Sequence, residues 1–318
     1  MRDRCPKPSP CPLPEGEGSD YIIASRLETL ATAAERCLDR ADVHCACGED
    51  RGTDLKNFDG TTPLLFGKRY DEASVFRPDA LLREARRQKN LPVRGVPPVC
   101  ILDPDGDIVR RLRRTGAARP SEGWACYHTE LFEFEIGHRR FGIVGCAVGS
   151  SFAVLVAEQL FASECRFLIS ITSAGQILAA GPPPYFVVIE RALRDEGTSY
   201  HYLPPAAFAA ADPALVDRAE QALRNAGIPA HRGATWTTDA PFRETESAIA
   251  SARAQGIMAV EMEAAALYAF ARSQQKPVIC FAHVTNSMGQ IHGDFEKGEA
   301  DGTADALTLI AAVAEACC

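Results

Sequence analysis

The chain has 318 residues, 46% of them hydrophobic, enough to bury the core of one large α/β domain or two smaller ones. Its formal charge of −8, with 34 basic against 42 acidic residues, excludes nucleic acid as the main partner, because a phosphate backbone is gripped by concentrated positive surface. No apolar run reaches the length of a membrane-spanning helix and no signal-peptide core precedes the 12 cysteines, so the expectation is a cytoplasmic protein with reduced thiols and no membrane partner.

Met1 to Ser19 is rich in Pro, Gly and charge and reads as a disordered leader; Tyr21 to Leu38 then carries Ile, Leu and Ala at helical spacing. His44, Cys45 and Cys47 form a short cluster without a second ligand pair at zinc-site spacing, so no metal is expected. Between Arg51 and Asn90, Pro63, Leu64, Leu65 and Phe66 look extended, and Pro78 to Gln88 predicts a helix with proline at its start. Residues 1–90 are accordingly read as an N-terminal extension, its first part disordered, and residues 91–318 as the main domain.

Val96 to Leu102 predicts a buried strand that ends in the acidic turn Asp103, Pro104, Asp105, Gly106, Asp107, with a helix beginning at Ile108. Arg110, Arg111, Arg113 and Arg114 are its solvated face. Cys126 to Ile136 alternates and pairs with Phe141 to Val148 through a turn at Gly137 and His138. GCAVGSS, Gly145 to Ser151, leads into a helix over Phe152 to Phe161, and its small residues permit close backbone approach to a ligand. A strand over Arg166 to Ile171 is followed by Thr172, Ser173, Ala174 and Gly175. Another, Tyr185 to Ala192, ends in RDEGTSYHYLPP, Arg194 to Pro205, a loop dense in polar and aromatic groups. A helix over Pro213 to Ala226, a strand over His231 to Trp236, a helix after TTDAPFRET, a strand over Lys276 to Val284 and a helix over Ala304 to Ala316 complete the chain. Strands alternate with helices and polar clusters fall at strand ends, which predicts an α/β fold with a sheet of mixed direction.

The stretch Val260 to Ala271, VEMEAAALYAFA, predicts a buried strand running straight into a helix, with Glu261 and Glu263 around Met262 at the junction. Unsatisfied N–H groups and the helix dipole favour negative charge there. An ionised carboxylate at such a place accepts hydrogen bonds from the vicinal diol of a sugar; the plainer reading is helix capping.

GCAVGSS, ITSAGQI, RDEGTSYHYLPP with TTDAPFRET, and VEMEAAALYAFA followed by a strand ending in VTN stand in an order that resembles the nucleoside phosphorylase family. The likeness is to its uridine phosphorylase, purine nucleoside phosphorylase and methylthioadenosine nucleosidase members, and it covers about Pro97 to Ala316. The resemblance implies a three-layer α/β/α fold, a nucleoside substrate, scission of the bond from ribose C1′ to the base, and a homodimer or larger homo-oligomer. It implies no cofactor, with phosphate as a possible co-substrate. Glu263 matches the carboxylate that binds the ribose diol, and Met262 the side chain under the sugar, with Glu261 beside them. Phe242 stands where an aromatic lies against the base, and Arg243 or Glu244 is placed to bond the base edge. Asn286 replaces the Asp that protonates a departing purine; an amide donates a hydrogen bond but is no general acid, which tilts the substrate toward a pyrimidine or an atypical base.

The phosphate side departs from the family. The positions of its glycine and arginines read Pro104, Ile108, Ser170 and Tyr127 or His128, although Ser173, Gly149 and Ser150 remain. Nucleosidases of the family lack these arginines and use an acidic residue of the first turn to activate water, a role open to Asp105 or Asp107, whose plainer reading is again helix capping. Arg194 or His201 is the remaining source of a rebuilt phosphate site. Family membership favours phosphorolysis and the lost arginines favour water. A catalytically weakened nucleoside-binding module fits the same pattern.

Overall fold

The computed structural model describes residues 62–288, 297 and 299–318. The leader, the Tyr21 to Leu38 helix and the His44, Cys45, Cys47 cluster lie outside the described residues. The described residues belong to one compact unit. In chain order it runs α1 (Pro78–Lys89), β1 (Val99–Asp103), α2 (Asp107–Arg114), β2 (Ala118–Pro120), β3 (Phe132–Ile136), β4 (Arg139–Gly145), α3 (Ser150–Ala162), β5 (Phe167–Gln176), β6 (Tyr185–Asp195), β7 (Phe208–Ala210), α4 (Pro213–Asn225), β8 (Ala230–Thr238), α5 (Glu246–Ala254), β9 (Ile257–Glu261), α6 (Ala264–Gln274), β10 (Val278–Asn286) and α7 (Thr303–Cys317).

The strands form one mixed sheet in the order β10-β6-β8-β9-β5-β1-β4-β3-β2, with β7 added to β6. Helices α1, α3 and α6 pack in one group and α2, α4 and α7 in another, and α6 and α4 both rest on β6 and β8. This is the α/β fold with a mixed sheet that the sequence predicts.

The decisive strand for the site is β5. Val99 to Leu102 pair with Phe167 to Ser170, so β1 leaves β5 after Ser170. The sequence suggests that β5 ends near Ile171, yet it continues to Gln176, because β10 stays paired with it and β9 joins its far end through Gly175↔Val260 and Gln176↔Ala259. Thr172 to Gly175 are therefore strand, not turn. Pairing β5 with both β10 and β9 closes β5, β10, β6, β8 and β9 into a ring. Since β9 is antiparallel to β5, the chain beyond Glu261 runs back along β5 toward Ser173.

Helix α6 packs on β6, β8 and β10 of this ring. Ala264 to Phe270 are all buried, and the run of alanines is what lets a helix pack closely on several sides. Tyr268, the largest of its fully buried side chains, gives its hydroxyl to the Ile189 carbonyl at 2.6 Å and accepts from the Cys280 N–H at 3.0 Å. Leu82 and Ala85 of α1 bury against Ala125, whereas Leu64 to Phe66 turn rather than extend, closed by the Leu65 N–H on the Thr62 carbonyl at 3.0 Å. No helix among the described residues is long and apolar enough to cross a membrane, and the described cysteines are free thiols.

Candidate active site

The strand-to-helix junction at Glu261 is held by hydrogen bonds that leave little to chance. Glu261, the last residue of β9, is buried and accepts four of them. Thr235 and Thr237 hydroxyls bond Oε1 at 3.1 and 2.5 Å, and the N–H groups of Glu263 and Ala264 bond Oε2, each at 2.7 Å. The Thr237 hydroxyl also accepts from the Ala265 N–H at 2.9 Å. The donors of the first turn of α6 are thus spent on Glu261 and Thr237. Glu261 is a capping residue with no lone pair left for a sugar, and the expectation that it contacts substrate is corrected accordingly.

Glu263 has the opposite surroundings. It is 1% exposed, its Oε1 accepts the Gly149 N–H at 2.7 Å, and its Oε2 is buried with no hydrogen-bond partner. Burial pushes its carboxyl up to about 8, the Glu261 charge adds to that, and the Gly149 N–H and the nearby Thr172 hydroxyl oppose it. Burial also raises Glu261, but four donors make that residue the bearer of the negative charge in the pair. The first-turn donors that the sequence reading offered to an ionised carboxylate are thus taken up by Glu261, and burial beside that charge raises Glu263. An unpartnered buried oxygen is costly, and a hydroxyl from a ligand is what would satisfy it.

Gly149 presents its N–H to Glu263 from a backbone at φ 88°, a conformation that side-chain-bearing residues avoid. Next to it, the Ser150 hydroxyl donates to the Met262 carbonyl at 2.8 Å, fixing the start of α3 to the junction and leaving Met262 half-buried beside Glu263.

The acidic first turn meets the same place from β1. Asp103 is buried and accepts from the N–H groups of Gly106 at 3.2 Å and Val109 at 2.9 Å, so it organises the turn; burial pushes it up to about 7. Gly106 takes φ 77°, and a Cβ there would stand 2.6 Å from Cys146 Sγ. Asp105 reaches across to β5: its Oδ2 accepts the Ser173 N–H at 2.7 Å and its Oδ1 the Ser173 hydroxyl at 2.8 Å. Asp107 is paired with Arg110 and with Lys297. Burial works against its charge, but the hydrogen bonds of those two cations outweigh it and hold Asp107 below the usual carboxylate range. Asp107 is thereby neutralised, and Asp105 is the acidic residue of the turn that faces the strand carrying Ser173.

Asn286 ends β10 opposite Gly175. Its Nδ2 donates to the Ala174 carbonyl at 3.4 Å and the Thr285 hydroxyl at 3.3 Å, and its Oδ1 accepts the Met288 N–H at 2.9 Å. Asp105, Ser173, Gly149, Ser150, Met262, Glu263 and Asn286 thus converge around β5.

Other expected residues stand elsewhere. Arg194 is buried, with Nε on the Ser199 hydroxyl at 2.8 Å, Nη1 on the Pro204 carbonyl at 2.7 Å and Nη2 on the Leu203 carbonyl at 3.0 Å, while its guanidinium lies 4.2 Å from the Tyr200 ring centre. Three of its five N–H donors hold the Arg194 to Pro205 loop. Arg194→Ala is expected to destabilise the fold by on the order of 3 kcal/mol in a urea titration, because the buried Ser199 hydroxyl and two partly buried carbonyls lose a charged partner. The same variant should leave any phosphate dependence unchanged. His201 is exposed and meets Lys68 Nζ at 3.0 Å through Nδ1. Phe242 is 100% exposed and Arg243 is exposed, both on a single turn after β8, so neither is walled into a base pocket within one chain.

Lys297 and His283 escape the sequence reading. Both line a cavity of about 20 Å³ with Asp105, Asp107 and Ser173. Lys297 follows a polar stretch with no periodicity, and His283 is hidden in an apolar strand. Among the described residues no group of three or more His, Cys, Asp or Glu is placed to hold a metal ion.

Similarity to known proteins follows the same part of the chain. Uridine phosphorylase from Vibrio fischeri ES114 superimposes with a TM-score of 0.59 at 22% identity, covering 70% of this chain and 92% of that one. Purine nucleoside phosphorylase from Toxoplasma gondii, solved in complex with immucillin-H, gives 0.60 at 16% identity, covering 70% and 91%. Among curated proteins none matches. The family model described as the phosphorylase superfamily matches residues 98–317, most of the chain, and so the protein belongs to the phosphorylase superfamily.

Proposed function

We propose that this protein cleaves the N-glycosidic bond of a nucleoside and uses water as the nucleophile. The observation that carries the choice of water is the seat of Asp105. The Ser173 N–H and hydroxyl are donors that the resemblance assigns to phosphate, and here they are occupied by the protein's own carboxylate at 2.7 and 2.8 Å. A phosphate at this place would have to displace the Asp105 carboxylate or meet it at contact distance.

In this reading Glu263 takes the ribose hydroxyls on its free Oε2 and stabilises positive charge growing on the ring. Asp105 accepts a proton from water as the water oxygen bonds to C1′. The C1′–N bond breaks and its electron pair leaves with the base. Asn286 is no acid and its amide is already engaged, which supports a base that departs as a stabilised anion, a pyrimidine or an atypical base. A homo-oligomer is part of the reading, with the exposed Phe242 a side chain for a neighbour to cover.

One observation favours phosphorolysis instead: Lys297 supplies a cation beside Asp105 where the family's arginines are missing. Incubating a panel of nucleosides with and without phosphate, and separating free ribose from ribose 1-phosphate, tests the two. Free ribose at a rate indifferent to phosphate is expected. Ribose 1-phosphate formed only with phosphate would reverse the assignment, and nucleoside binding without release of base would favour a binding module.

A further inference from the structure

Lys297 lies outside every sequence block that carries the family resemblance, on the connection into α7. Its ammonium donates to Asp107 Oδ2 and stands 3.6 Å from Asp105 Oδ2. The backbone there is set by close approach: Gly302 takes φ 71°, and a Cβ on it would stand 2.7 Å from the Lys297 carbonyl and 2.3 Å from His283 Cε1. A side chain at 302 would push Lys297 away from the acidic turn.

The charged and titratable groups around this ammonium all bear on its effect. Asp103, Asp105, Asp107 and Arg110 face it from the first turn and α2, His283 from β10, and Asp305 from α7 lies near His283. Burial and the Lys297 charge push His283 down to about 4, so the imidazole is neutral and stacks on Phe186 with ring centres 4.5 Å apart. It adds neither charge nor base near neutral pH. Lys297 is then the cation that offsets the charge of Asp105, since Arg110 spends its side-chain bonds on Asp107 and the Asp105 backbone carbonyl. The cavity between Asp105, Ser173, His283 and Lys297 is about 20 Å³, room for one water molecule.

We propose that Lys297 is a positioning residue for hydrolysis: it sets its charge 3.6 Å from Asp105 Oδ2, against a carboxylate clamped on Ser173 beside a one-water cavity, and by doing so favours water as the nucleophile. This rests on the reading of Asp105 as the base. Lys297 touches neither sugar nor base; it acts through the carboxylate that accepts the proton of the attacking water.

The test is the pH profile of kcat/KM for nucleoside hydrolysis in Lys297→Met, Lys297→Gln and Lys297→Arg. Removing the cation removes the attraction that favours a negative charge on its neighbour. The two neutral variants should lose about tenfold or more at the acid end of the profile and approach the parent toward its alkaline end. Lys297→Arg should stay within about threefold of the parent throughout, because the charge is kept. Glu263 and Asp103 titrate in the same range in every variant, so the change in the profile relative to the parent is the readout. A loss by the same factor at every pH would mean that Lys297 is merely structural and would overturn the proposal. So would an unchanged nucleoside profile with a raised KM for phosphate, which would make Lys297 a phosphate ligand. A parent enzyme that releases only ribose 1-phosphate overturns the hydrolytic reading itself, before any variant is compared.

Discussion

Replacing Glu263 with glutamine is expected to cut kcat/KM for nucleoside cleavage by about two to three orders of magnitude with little change in melting temperature. The amide keeps the size of the side chain and an oxygen for the Gly149 N–H, so the packing around α3 and α6 survives. It removes the negative charge that accepts two hydroxyls and stabilises the cationic ring, worth about 1.5 to 3 kcal/mol per charged hydrogen bond. The same residue gives a signed pH dependence. Ribose hydroxyls donate to the ionised carboxylate, so nucleoside binding releases a proton from a group whose carboxyl is pushed up to about 8. Affinity should strengthen as pH rises toward 8 and flatten above it, and calorimetry in buffers of different ionisation heat should detect the released proton. In Glu263→Gln both signatures should vanish. A variant that turns over and titrates like the parent would remove Glu263 from the site.

Asp105→Asn separates the two nucleophiles. Asparagine retains one acceptor for the Ser173 pair but cannot take a proton from water, and loss of a general base lowers the rate by about 10² to 10⁴. Free-ribose formation should fall by that factor while nucleoside affinity, which depends on Glu263, stays near the parent value. Product analysis at saturating nucleoside is the measurement. Unchanged ribose release would show that Asp105 only ties the first turn to β5, and would return the choice of nucleophile to phosphate.

Glu263 and Asp105 also mark how far the sequence is informative. Alternation of apolar strands and helices, Pro at the start of α1 and α4, and the turn at Gly137 are local patterns, and local patterns suffice to place those elements. The junction that bears Glu261 and Glu263 is legible for the same reason. Which of the two acids is free is not, because it depends on Thr235 and Thr237, distant in the chain and brought alongside by the pairing of β8 with β9. The same limit explains Arg194, a cation whose availability turns on three acceptors in its own loop, and Lys297, whose position depends on Gly302 approaching His283.

By itself the sequence determined the α/β class, the family likeness and the acids proposed to carry the chemistry, because periodicity and short motifs are properties of neighbours along the chain. Tertiary structure alone decided which donors those acids meet. The continuation of β5 past Ser170 lets Ser173 bond Asp105 and lets β9 turn Glu263 back toward the same strand. Charge state and hydrogen-bond partners are set by burial and by contacts between strands far apart in sequence, and no local pattern encodes either.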